Sequence, residues 1–185
     1  MGYAWGFKKW AAELADSTRA ELGLGPLDRL EPRALAEYLA IPVYELSNIA
    51  AYDPRAQHLL TVEPEAFSAV TVFAGPRRAI THNDAHAPTR QNSNISHEIA
   101  HGLLRHPPTP ALGDTGCRSW NQDIEDEAGW LAGCLLVTEQ ATFAVARGAW
   151  SIAEAARRLA VSEAMIRFRL NGTGAVKRVQ RFGAR

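Results

Sequence analysis

The residues of this chain most able to do chemistry are His97, Glu98 and His101, in the string HEIAH. On an α-helix, positions i and i+4 project from the same face, so both imidazoles can reach one metal ion. Glu98 leaves the helix at a different angle, where it can hold a water instead of the metal. H-E-x-x-H on a helix is the core of a zinc hydrolase, with two ligands and a general base. The bland alternative is a helix that happens to carry two solvated histidines.

A catalytic zinc takes three protein ligands and keeps one position open, and two histidines plus a carboxylate is a standard set. The carboxylate is sought downstream, in residues 124–137, IEDEAGWLAGCLLV. Ala128, Leu131, Ala132, Leu135 and Leu136 recur at helical spacing and predict a helix packed on a core. Glu125 and Glu127 stand at its start, close enough to the apolar stripe to be drawn inward. Asp123 and Asp126 fit ordinary compensation of the helix dipole.

Together, HEIAHGLLRH and IEDEAGWLAGCLLV resemble the ImmA/IrrE family of metallopeptidases. The family pattern is a H-E-x-x-H helix, a spacer, then a helix reading roughly E-x-E-A-x-x-F-A-x-x-L-L-x-P. Glu125, Glu127 and Ala128 match its acidic start, and Ala132, Leu135 and Leu136 its tail. Leu131 stands where the family has Phe, and Thr138 where it has Pro. Residues 7–10, 34–43 and 82–86 also look typical of short actinobacterial members, so the likeness covers most of the chain.

The resemblance implies His97 and His101 as zinc ligands, Glu98 as general base and Glu127 as the third ligand. Glu125 is the fallback, because a two-residue shift rotates a side chain well off the first face. Such a set supports peptide hydrolysis: the metal makes a water acidic near neutral pH, and Glu98 takes its proton and returns one to the leaving amine. Mn²⁺ or Fe²⁺ is compatible with the same ligands. His82, His86 and Arg90 lie near in sequence, but each reads first as a loop or capping residue, and none is assigned to the oxyanion. The implied substrate is a helix-turn-helix transcriptional repressor, cleaved to derepress a mobile-element or stress regulon. The alternative is a non-proteolytic, metal-containing regulator that binds DNA or a repressor through basic C-terminal helices. Glu98 separates the two, since a purely structural site has no need of a base there.

The elements that must position these residues follow from periodicity. Phe7, Trp10, Ala11 and Leu14 predict a first helix; Pro32 opens a second, with Ala34, Leu35, Tyr38 and Leu39 on one face. Residues 41–46 suggest a short strand, which Pro42 confines to an edge or a strand start. Residues 47–66 read as a loop with at most one helical turn. Residues 69–73 and 78–82 form a hairpin around Gly75-Pro76. The hairpin's second strand leads into the metal helix and is expected to be the open edge that binds a substrate backbone by strand addition. Pro107, Pro108 and Pro110 end the metal helix, and residues 107–120 form a loop able to overhang the cleft. The expected fold is α+β and zincin-like, of the gluzincin type, with a small sheet packed on the H-E-x-x-H helix and a helical C-terminal hairpin. Residues 1–150 are assigned to the metallopeptidase-like domain and 151–185 to a basic helix-turn-helix-like hairpin packed on it.

Within that hairpin, Ala156, Leu159, Val161 and Ile166 fall where helix-turn-helix motifs place packing residues, with Ala160 at a turn position that usually takes Gly. A reading helix at 163–170 would present Arg167 and Arg169. Residues 157–185 hold eight Arg and Lys against Glu163 alone, a net of +7 that the rest of the chain balances to zero. Such asymmetry marks either contact with nucleic acid or an acidic partner, or a tail lying on an acidic body. A scaffold role or partner docking ranks ahead of DNA binding, because a lone motif binds DNA weakly without dimerisation.

With 185 residues, 46% hydrophobic and 22% charged, the chain has the make-up of a one-domain soluble globule. It has no apolar run long enough to span a bilayer and no signal-like N-terminus, so a cytoplasmic protein without membrane contact is expected. Cys117 and Cys134 form no C-x-x-C pair and read as buried thiols.

Overall fold

The computed structural model describes residues 3–75, 77–107 and 121–183. The expected overhanging loop, apart from Pro107, lies outside them, as do Cys117 and the Pro76 turn position.

Ten helices and three strands are formed by the described residues. Helix α1 (Phe7–Glu21) and α2 (Pro32–Tyr38) precede β1 (Val43–Glu45), followed by α3 (Leu46–Ala50) and α4 (Pro54–Thr61). The segment expected as a loop thus holds two short helices. Its signal was present: Asp53 accepts from the Arg55 backbone N–H at 2.9 Å, and Pro54 takes the first helical position. A 3-10 turn at Pro64–Ala66 leads into the hairpin β2 (Ala69–Ala74) and β3 (Arg77–His82). Then come α5 (Pro88–Leu103), α6 (Gln122–Leu136), α7 (Glu139–Ala146), α8 (Ile152–Leu159), α9 (Glu163–Thr173) and α10 (Ala175–Gly183). The result is an α+β fold with a small mixed sheet.

The sheet order is β1-β3-β2. β3 pairs antiparallel with β2, and parallel with β1 through Val43–Ile80, Tyr44–Thr81 and Glu45–His82. This corrects the expected edge. β3 is bonded to β2 along its length and to β1 over Ile80–His82, whereas β2 has β3 as its only strand partner among the described residues. The short β1, far upstream in sequence, covers β3.

α6 is the centre of the packing. It lies against α5, α1 and α9, and every residue from Trp130 to Val137 is buried. Burying each of Leu131, Leu135 and Leu136 contributes roughly 1.5–3 kcal/mol. Its last carbonyls lack partners within the helix and are met by two buried arginines. Arg19 Nη1 donates to Leu135 O at 2.8 Å, and Arg169 Nε to Val137 O at 3.0 Å. Arg169 is 1% exposed and lies over the Trp130 ring, so it is not a residue that α9 can present to DNA. Arg167 is exposed and pairs with Glu163. Gly133 lets α9 come close, since a Cβ there would stand 2.9 Å from Arg169 Cδ.

Ser151 caps α8 and Ser162 caps α9, with Ala160 left-handed between them at φ 52°. The turn docks on α5, where Asn92 Nδ2 donates to Ala160 O at 3.1 Å. A left-handed alanine is strained by about 1–2 kcal/mol. Ala160→Gly relieves that strain at some cost in unfolded-chain entropy, and is expected to stabilise the protein by about 1 kcal/mol. Urea unfolding should show a higher midpoint at unchanged slope; a lower midpoint would show that the alanine methyl outweighs the strain.

Candidate metal centre

α5 carries two different faces. Ile95, Ser96, Ile99 and Ala100 are buried in the core, which turns His97 and His101 toward α6 and Glu98 toward β2. His97 Nε2 lies 3.1 Å from His101 Nε2 and 3.0 Å from Glu125 Oε2, and His101 Nε2 lies 3.6 Å from the same oxygen. Three metal-ligating atoms therefore converge, from His97, His101 and Glu125. Ligands about 2.0–2.1 Å from a tetrahedral zinc stand roughly 3.3–3.4 Å apart, close to the three separations found here. The chemistry of the donor set and its spacing fit a divalent cation of that size.

In this geometry Glu125, the fallback ligand, stands nearer the histidines than Glu127, the ligand that the resemblance implies. Glu125 joins the histidines, while Glu127 Oε2 lies 3.3 Å from His106 Nε2. Nearness to an apolar stripe favours Glu127, but α6 is buried on all sides from Trp130 onward. The stripe thus cannot say which face meets α5. His106, the last residue of HEIAHGLLRH, has no spacing that points to this place. Its position depends on Arg105, which adopts φ 55° and carries no glycine signal.

Burial above all, then the neighbouring His97, pulls the His101 imidazolium down to about 4; His106 acts in the same direction and Glu125 opposes. His101 is therefore neutral at physiological pH, with a lone pair available. Glu98 Oε2 accepts from Thr71 Oγ1 at 2.6 Å, so a strand residue not singled out in the sequence orients the expected base. A cleft of roughly 440 Å³ opens over these groups. It is lined by Ala69, Val70, Thr71 and Phe73 of β2 on one side and by His97, Glu98 and His101 on the other.

The three residues near in sequence serve the loop before α5. His82 is fully buried, with Nε2 2.7 Å from Arg33 Nη2. His86 Nε2 lies 2.9 Å from Pro64 O, and Arg90 bonds Glu65 and Ser68. None of the three lines the cleft.

Fold and site together define a small α+β protein with a His, His, Glu cluster and a further glutamate in an open cleft beside a sheet edge. Residues 35–171 match the peptidase family described as IrrE N-terminal-like domain, and the chain belongs to that family. The match runs on through α8 and most of α9. Among curated proteins, no individual relative matches the chain.

Proposed function

We propose that this protein is a zinc-dependent endopeptidase that cleaves a helix-turn-helix transcriptional repressor and so derepresses a mobile-element or stress regulon. The observation that carries the reading is Glu98, held by Thr71 beside the His97, His101 and Glu125 cluster on the floor of a cleft walled by an open strand. Family membership supports the peptidase class and a repressor-type partner. Zinc, when bound, supplies Lewis acidity for a water and for the scissile carbonyl.

The chain's own residues do the rest. The free edge of β2 takes an extended substrate backbone as an added strand, which lays a peptide bond across the cluster. Thr71 occupies one oxygen of Glu98 and fixes the carboxylate plane, which leaves Oε1 to face the water. Glu98 accepts the water's proton during attack and delivers one to the leaving amine. His97, His101 and Glu125 hold the ion. Residues 151–185 are read as a basic hairpin docked on residues 1–150, and the burial of Arg169 weighs against direct DNA reading by α9. No single helix among the described residues is long and apolar enough to cross a membrane.

Metal content by plasma mass spectrometry tests the reading, with wild type measured beside His101→Ala. About one zinc per chain is expected in wild type and none in the variant. Zinc-loaded wild type should also generate new N-termini in a proteome-derived peptide library, and His101→Ala should not. Absence of metal from both proteins after reconstitution with zinc would sink the proposal.

A further inference from the structure

Resting on the metal-site reading above, we propose that His106 and Glu127 form a positioning relay behind the site, in which Glu127 orients His106 and His106 orients the ring of His101. The hydrogen atoms admit one consistent arrangement. His101 presents Nε2 to the cluster, so its hydrogen sits on Nδ1, on the far side of the ring. The atom it meets is His106 Nδ1, at 2.9 Å. His106 Nδ1 must then accept, which puts the His106 hydrogen on Nε2, facing Glu127 Oε2 at 3.3 Å. Both nitrogens of His106 are thereby engaged, and neither is left to bind the ion. The His106 side chain is 9% exposed, so water competes little for these bonds.

Backbone geometry brings His106 to this place. α5 ends in a left-handed cap at Arg105, where Arg105 N–H donates to Gly102 O at 3.1 Å and His106 N–H to His101 O at 3.0 Å. This is the Schellman pattern, which folds the residue after the cap back over the last turn. His106 thus bonds His101 through both backbone and side chain. Glu127 stands just past the first turn of α6, two residues after Glu125. One helical turn therefore supplies a carboxylate to the cluster and another to the support of its histidine.

A ligating imidazole whose second nitrogen donates to a fixed acceptor is held in orientation and made a better donor to metal. Loss of such a partner typically weakens metal binding 10–100-fold. His106→Ala and Glu127→Ala, made in the full chain, are each expected to raise the zinc dissociation constant about 10–100-fold in competition with a chromogenic chelator. Both should still bind one zinc at saturation. The double variant should be no weaker than His106→Ala alone, since both changes break one chain. His106→Asn offers an amide oxygen close to where the ring Nδ1 sits, and should recover most of the affinity lost in His106→Ala. The visible spectrum of the Co²⁺-loaded protein should change in His106→Ala and return toward wild type in His106→Asn, which a packing role would not produce. Dissociation constants within twofold of wild type for both single variants, or additive losses, would overturn the relay while leaving the metal site intact. Complete loss of zinc in Glu127→Ala would overturn it too, by making Glu127 a ligand. A wild-type protein that binds no zinc overturns the relay together with the peptidase reading.

Discussion

Glu98→Gln should yield a folded protein that keeps its zinc and loses peptide cleavage by about two to four orders of magnitude, the usual contribution of a positioned general base. The substitution preserves size, and the amide oxygen can still accept from Thr71 Oγ1, which now lies 2.6 Å from the carboxylate. Only the ability to take a proton is removed. Metal content and the unfolding midpoint should match wild type, so the deficit falls on turnover and not on assembly of the site. Cleavage within a few-fold of wild type would remove Glu98 from the mechanism and return attention to a non-proteolytic role.

The second large effect belongs to Glu125. Structural zinc is bound by about 10–16 kcal/mol through four ligands, or roughly 2.5–4 kcal/mol for each. Glu125→Ala is therefore expected to weaken zinc by two to three orders of magnitude, measured by competitive titration. Glu127→Ala, in contrast, removes a group that lies 3.3 Å from His106 and outside the cluster, and its loss should be the smaller one. The opposite order would restore Glu127 as the ligand.

The contrast between these two glutamates shows what a linear sequence can carry. His97, Glu98 and His101 were legible because their relation is local: helical spacing alone puts the two rings on one face. The downstream helix was legible as well, from the recurrence of Ala128, Leu131 and Leu135. Which of its acids meets α5 depends on how two helices pack, and a helix buried on all sides gives no facial signal. His106 was hidden for another reason, since its approach to His101 follows from a positive φ at an arginine. The hairpin at residues 69–82 was clear, but the edge was not. A three-residue strand, β1, makes β3 central, and no local pattern predicts that pairing. Asp53-Pro54 is a different case, a helix-start signal that was present and passed over. In the C-terminal segment Ile166 is buried as its spacing suggests, but Arg169, expected on a DNA-reading face, is buried with it.

The carboxylate of Glu125 stands on the first turn of the helix around which the whole protein packs, and the two histidines stand on the helix beside it. The packing of α5 on α6 is thus what brings the three candidate donors together. In small zinc modules the metal drives folding and chelation unravels the chain. On the reading proposed above, stripping the metal should instead leave a folded chain, since α6 and its neighbours pack through apolar and arginine contacts and not through the cluster.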